Sequence, residues 1–148
     1  MRHPVTLAPP VTPEQWSSYH ELRRAVLFEN RGRFGVYDEN HPDEFLPNNY
    51  PMLLYRGSEG VGAVRIDIDP EARIVTFRRV AIRQDLQRQG LGRVMMESAE
   101  AFARGRGCRV FVARVARDAV GFYEKLGYRL DHGSEGGGDE NPRMVKRA

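Results

Sequence analysis

One α/β (α+β) domain spanning residues 1–148 is the architecture this sequence points to. Three observations carry it: a length suited to one core, three β-rich runs joined by tight turns, and an amphipathic helix behind a glycine turn. A chain of 148 residues can bury most of the apolar surface that folding removes from water. With 41% hydrophobic and 29% charged residues, the composition is that of a soluble globular protein. No run nears the roughly 18 apolar residues of a membrane span, so no membrane partner is expected. The start, with Pro4, Pro9 and Pro10, lacks the apolar segment of an export signal, which points to the cytoplasm.

Cys108 is the one cysteine, so no internal disulfide or cysteine-based zinc site is expected; it reads as a core thiol at the start of a strand. His3, His20, His41 and His132 are scattered, and no metal is expected. The net charge of +3 is too mild to imply nucleic-acid binding, although it suits a small polyanion.

The elements follow in order. Thr12, Pro13 and Gln15 form a capping signal, and Trp16, Tyr19, Leu22 and Val26, flanked by Leu27, give a helical stripe ending near Asn30. From Arg31 to Asn49, Gly32, Gly35, Pro42 and Pro47 break any period, which allows at most a short helix. Strands are expected over 52–55, 61–68 and 74–82 as an antiparallel meander. A helix over 91–104 buries Leu91, Val94, Met95, Ala99 and Phe102, with Gly105 as its stop. A strand over 109–113, a short helix over 118–126, a strand from Tyr128 and a last strand around 144–146 complete the chain. A flexible glycine-rich loop over 133–140 precedes the last strand.

The stretch from Val80 to Arg93 carries the chemistry: a β-branched strand enters a glycine turn that opens an amphipathic helix. The first helical turn has unpaired amides and the positive end of the dipole, a place for phosphate. Gly90 and Gly92 are read as clearing its approach. Arg78, Arg79, Arg83, Arg88 and Arg93 against Asp85 are expected to surround it with positive charge. A dinucleotide fingerprint fails because Met95 stands where its third glycine is needed, and no P-loop is present.

Gln87-Arg88-Gln89-Gly90-Leu91-Gly92 resembles the pyrophosphate motif of the GNAT acetyltransferase superfamily, and Ala119 to Tyr128, containing Phe122-Tyr123-Glu124-Lys125-Leu126-Gly127, resembles its second signature. The likeness is best from about Val61 to Leu130. It implies a mixed, mostly antiparallel central sheet flanked by helices, whose central strands splay near Ile82 and Ala113 to admit the pantetheine arm of acetyl-CoA. Val80, Ala81 and Ile82 would then run beside the pantetheine, and Gln87, Arg88, Gln89, Gly90, Leu91, Gly92 and Arg93 would hold the pyrophosphate. Tyr123 is implied as the acid that protonates the CoA thiolate, while Phe122 and Tyr128 are expected to be core aromatics. The activity implied is N-acetyl transfer to a primary amine by direct attack.

Two positions depart from the family pattern. Ala116 stands where many relatives have an asparagine, and Phe77-Arg78-Arg79 stands where many have a strand glutamate, so the base is unassigned. On the acceptor side, residues 37–44 hold Asp38, Glu39, Asp43, Glu44 and His41, and residues 131–140 hold Asp131, Glu135, Asp139 and Glu140. Both segments could attract a cationic amine or stand as solvated loops. The competing classes are a catalytically silent acyl-CoA sensor on the same fold and a nucleic-acid binder; the arginines cluster at one turn rather than among exposed aromatics, against the latter. The sequence is silent on oligomeric state and leaves a homodimer open.

Overall fold

Thr12 Oγ1 accepts from the Gln15 N–H at 3.1 Å and Gln15 Oε1 accepts from the Thr12 N–H at 3.1 Å, so the capping box forms as the letters require. It opens α1 (Pro13–Arg23), which passes into a π-helical turn (Arg24–Phe28) and a 3₁₀ turn (Glu29–Arg31). The run stops at Gly32, whose φ of 79° lies in the left-handed region. Tyr19 and Leu22 of the expected stripe are buried, and so are the polar His20 and Arg23, which the apolar period did not anticipate.

The computed structural model describes residues 4–131 and 142–148. Its strands are β1 (Val5–Ala8), β2 (Asn49–Arg56), β3 (Glu59–Asp69), β4 (Ile74–Ile82), β5 (Val110–Arg114), β6 (Arg129–Leu130) and β7 (Arg143–Arg147). They form one sheet in the order β1-β2-β3-β4-β5-β7-β6. The β2–β3–β4 meander is antiparallel as expected, and β4–β5 is the parallel pair. β1, a four-residue edge strand between prolines, has too few positions for a period of two to register in the sequence.

Consecutive residues Leu53 and Leu54 divide the core. Leu53 joins Tyr19, Leu22 and Ala63 beneath α1, whereas Leu54 joins the larger cluster built on α2 (Leu91–Gly105), since successive strand side chains face opposite ways. Met95, Met96 and Ala99 of α2 are fully buried there with Phe77 and Phe111. Each such large side chain contributes about 1.5–3 kcal/mol relative to exposure. Gly105 does not stop α2; it is the last helical residue, and Gly107, at φ 89°, makes the reversal. Cys108 N–H returns to Ala103 O at 3.0 Å and Gly107 N–H to Arg104 O at 3.0 Å, closing the helix. Cys108 itself is buried.

Short helix α3 (Val120–Lys125) follows a 3₁₀ turn (Arg117–Ala119). The glycine-rich loop expected over 133–140, with His132, lies outside the described residues.

Candidate active site where two strands part

β4 and β5 pair from Ile74–Val110 to Phe77–Ala113, and β4 then continues to Ile82 without a β5 partner. The cause is local. The β3–β4 register slips between Ala63 and Arg65, and Arg79 takes a φ of 57°, a left-handed backbone unusual for a side chain of its size. This bulge turns β4 away, leaving Val80, Ala81 and Ile82 beside an open seam.

Past Ile82 the chain makes a 3₁₀ turn (Gln84–Leu86) pinned by buried Leu86. Gln87 Nε2 donates to Ile82 O at 3.0 Å, and Asn30 Nδ2 donates to Gln84 Oε1 at 2.7 Å, tying the turn to both the strand and the first helical run. Arg88 at φ 67° and Gly90 at φ 85° then aim the chain into α2. Val94 N–H bonds Gly90 O at 3.2 Å, so the amides of Leu91, Gly92 and Arg93 precede the helical ladder and face its open end.

Gly90 and Gly92 differ in what they require. A Cβ on Gly90 would meet nothing within 4 Å, and its demand is the positive φ. A Cβ on Gly92 would stand 3.1 Å from Cζ of Phe122 and 3.7 Å from Cγ1 of Ile82, so glycine here also lets α3 close on the start of α2. Phe122, expected in the core, is instead 36% exposed and caps this junction. Its neighbour Tyr123 is the buried one, at 4% exposure, edge-on to both Phe122 and Tyr128. Burial pushes the Tyr123 phenol above its ordinary value, so it stays protonated at neutral pH. Tyr128 is a core aromatic as expected; its hydroxyl donates to Glu100 Oε2 at 2.7 Å. Ala116 caps the 3₁₀ turn before α3 with extended backbone and offers no polar side chain.

Arg88 sits in the glycine turn, but the five arginines do not all gather there with free charge. Arg83 pairs with Asp85 at 2.7 Å and Glu59 at 3.3 Å, and Arg93 pairs along its own helix with Glu97 at 3.3 Å. Arg78 and Arg79 instead line a cavity of about 720 Å³ where β4 leaves β5, with Arg114 of β5. Sequence spacing could not divide these five, because the bulge decides where residues 78 and 79 point.

That cavity is walled by the irregular segment. Of its acids, Glu44 is withdrawn: Oε1 lies 2.6 Å from Arg23 Nη1 and Oε2 accepts from Tyr19 Oη at 2.6 Å, all three buried. Burial alone would raise the Glu44 carboxyl, but Arg23, with the Tyr19 hydrogen bond and Arg65, outweighs it and holds it below its ordinary value. Asp38, Asp43 and His41 stay on the cavity wall, and Asp131 lies at the end of β6. A pair the sequence did not single out is Tyr37 and His20, with His20 Nδ1 2.6 Å from the Tyr37 hydroxyl. Burial, opposed by Glu39, lowers the His20 imidazole, and burial pushes the Tyr37 phenol up to about 12. Among the described residues no group of three or more metal-ligating side chains occurs, and no helix is long and apolar enough to cross a membrane.

A strand-splayed mixed sheet with a glycine turn at a helix start and a buried tyrosine beyond it defines the acyl-CoA N-acyltransferase class, and the comparisons agree. Residues 12–128 match the model of the Acetyltransferase (GNAT) family, and the chain belongs to that family. It is 31% identical over 114 residues to a protein of Bacillus subtilis strain 168 named as a candidate acetyltransferase, covering 74% of this chain and 73% of that one. An acetyltransferase structure from Thermus thermophilus superposes with a TM-score of 0.77 at 27% identity, over 100% of both chains. The fold is also shared with the PaiA N-acetyltransferase of Thermoplasma acidophilum in complex with coenzyme A, with a TM-score of 0.74, 14% identity and coverage of 98% and 99%.

Proposed function

We propose that this chain moves the acetyl group of acetyl-CoA to a primary amine by direct attack; the reading is supported by the β4 edge left unpaired beyond Phe77, the glycine turn that follows it, and the contact of Gly92 with Phe122, the neighbour of Tyr123. Val80, Ala81 and Ile82 offer strand backbone to the pantetheine amides, as an added strand would meet. The amides of Gln87, Arg88, Gln89, Gly90, Leu91, Gly92 and Arg93 receive the pyrophosphate at a helix start. Exposed Arg88, which has no ion pair among the described residues, is the cation of that turn best able to reach a phosphate.

The amine attacks the thioester carbonyl, and the tetrahedral intermediate collapses by expelling a thiolate whose conjugate acid has a pKa of about 8.5. Tyr123, kept neutral by burial, donates its proton to that sulfur. The amine nitrogen must shed a proton before or during attack. Tyr37 stands on the cavity wall and hands its own proton to His20 Nδ1 as it takes one from the amine, a relay that uses neutral imidazole.

The test is thiol release by purified protein from acetyl-CoA with a panel of primary amines, alongside calorimetry with acetyl-CoA alone. Turnover with at least one amine supports the reading. Tight acetyl-CoA binding without turnover across the panel would instead identify an acyl-CoA sensor.

A further inference from the structure

We infer that the acceptor amine also carries an anionic oxygen group, carboxylate or phosphate, which docks on Arg79 and Arg33 beside Phe28. This rests on the acetyltransferase reading for the amine, and on the cavity alone for the anion.

The cavity on the acceptor side is lined by six arginines and four carboxylates. The carboxylates deepest in its floor are already engaged. Glu44 is held by Arg23 at 2.6 Å, with Arg65 at 3.7 Å, and Asp67 takes Arg65 at 2.8 Å and Arg78 at 3.0 Å. Three arginines therefore share two carboxylates, and Arg79 and Arg33 add charge with no carboxylate partner among the described residues. Both of these guanidiniums sit near one ring, Arg33 Cζ at 5.0 Å and Arg79 Cζ at 5.4 Å from the Phe28 centroid. Two like charges beside one aromatic ring repel each other, and an anion that both can reach converts that repulsion into a clamp. Asp38 is turned to the Asn40 N–H at 2.9 Å, and Asp43 lies 3.9 Å from His41, so neither meets this pair.

Two further observations agree. In a regular strand residues 78 and 79 would face opposite ways, yet both line this cavity, because Arg79 occupies the bulge at φ 57°. The chain therefore adopts an unfavourable backbone whose result is a second β4 guanidinium in this cavity, at the point where β4 leaves β5. Arg23, 4% exposed and also lining the cavity, has an Nε with no hydrogen-bond partner among the described residues. A buried donor left unmade is costly, so this wall of the cavity holds positive charge that the protein's own acceptors do not fully satisfy. The field that residues 37–44 could give a cationic acceptor is correspondingly reduced, since Glu44 is internally neutralised.

The experiment uses the intact protein with CoA present. Calorimetry compares N-acetyl-L-amino acids (alanine, leucine, phenylalanine) with their carboxamides, and N-acetyl-O-phosphoethanolamine with N-acetylethanolamine, in wild type and Arg79→Gln. An acid that binds about tenfold or more tightly than its neutral partner, with the gap lost in Arg79→Gln, supports the inference, and the series showing it distinguishes carboxylate from phosphate. Equal binding of acids and neutral partners in folded wild type overturns it, as does a gap unchanged in Arg79→Gln. Arg33→Gln is the second variant should the first misfold. Turnover with the corresponding free amines is measured separately, so a protein that clamps anions but releases no thiol sinks the acetyltransferase reading and not the anion site.

Discussion

A Cβ placed on Gly92 would lie 3.1 Å from Cζ of Phe122, so the start of α2 and the body of α3 touch at a position where any side chain requires the Phe122 ring to give. The contact fixes the residue before Tyr123 against the helix end assigned to pyrophosphate. Gly92→Glu should both displace Phe122 and bring negative charge to that end. The expected result is a folded protein with acetyl-CoA affinity lowered at least about tenfold by calorimetry. Unchanged affinity would place the pyrophosphate elsewhere. Gly92→Ala is the milder control, since the half-exposed Phe122 ring can give by a few tenths of an ångström.

Tyr123→Phe keeps the edge-on ring contacts with Phe122 and Tyr128 and removes only the hydroxyl. Acetyl-CoA affinity should hold while kcat falls by about 10² or more. Full kcat in the variant would mean that water protonates the thiolate.

Glu44→Ala leaves the Arg23 guanidinium buried without its carboxylate and strips the Tyr19 hydroxyl of its acceptor. Losing one member of a buried pair costs about 3–5 kcal/mol, read as a fall in unfolding free energy in urea at pH 7. A change below about 1 kcal/mol would show that water reaches Arg23 and replaces the carboxylate.

Stability should also decline with acid in two stages. Burial, opposed by Glu39, depresses the His20 imidazole below its ordinary 6.5, so as pH falls below 6.5 the unfolded chain takes up this proton first and the folded state loses ground. Glu44 is depressed below its ordinary 4.5 by Arg23, Tyr19 and Arg65 despite its burial, so its contribution is present above 4.5 and is lost as pH falls through the folded value. Denaturation midpoints from pH 7.5 to pH 3.5 test this. In His20→Gln the upper stage should disappear and the lower remain.

Loss of the Tyr37–His20 relay should show as a pH effect on rate rather than on binding. Tyr37→Phe is expected to lower kcat/KM by about 10²-fold with acetyl-CoA affinity intact, because the amine proton loses its route to His20 Nδ1. A variant with an unaltered pH–rate profile would assign proton removal to solvent.

The sequence by itself determined the local elements and the order of the chemistry. Thr12 and Gln15 define a helix start through contacts three residues apart, the 74–82 strand is written in its β-branched run, and Gly90, Gly92 and Tyr123 stand in motifs whose spacing is local. Pairing across the fold is not local, and there the tertiary structure decided. Arg78 and Arg79 look alike in sequence to the other arginines of the glycine-turn region, yet a bulge of one residue in β4 against β3 sends both into the cavity walled by the irregular segment. Glu44 reads as one of four surface acids until Arg23 and Tyr19, more than twenty residues earlier, close over it. A charge pattern along a chain carries no information about which charges will cancel, because ion pairs depend on distances in space that only the packed sheet and helices set.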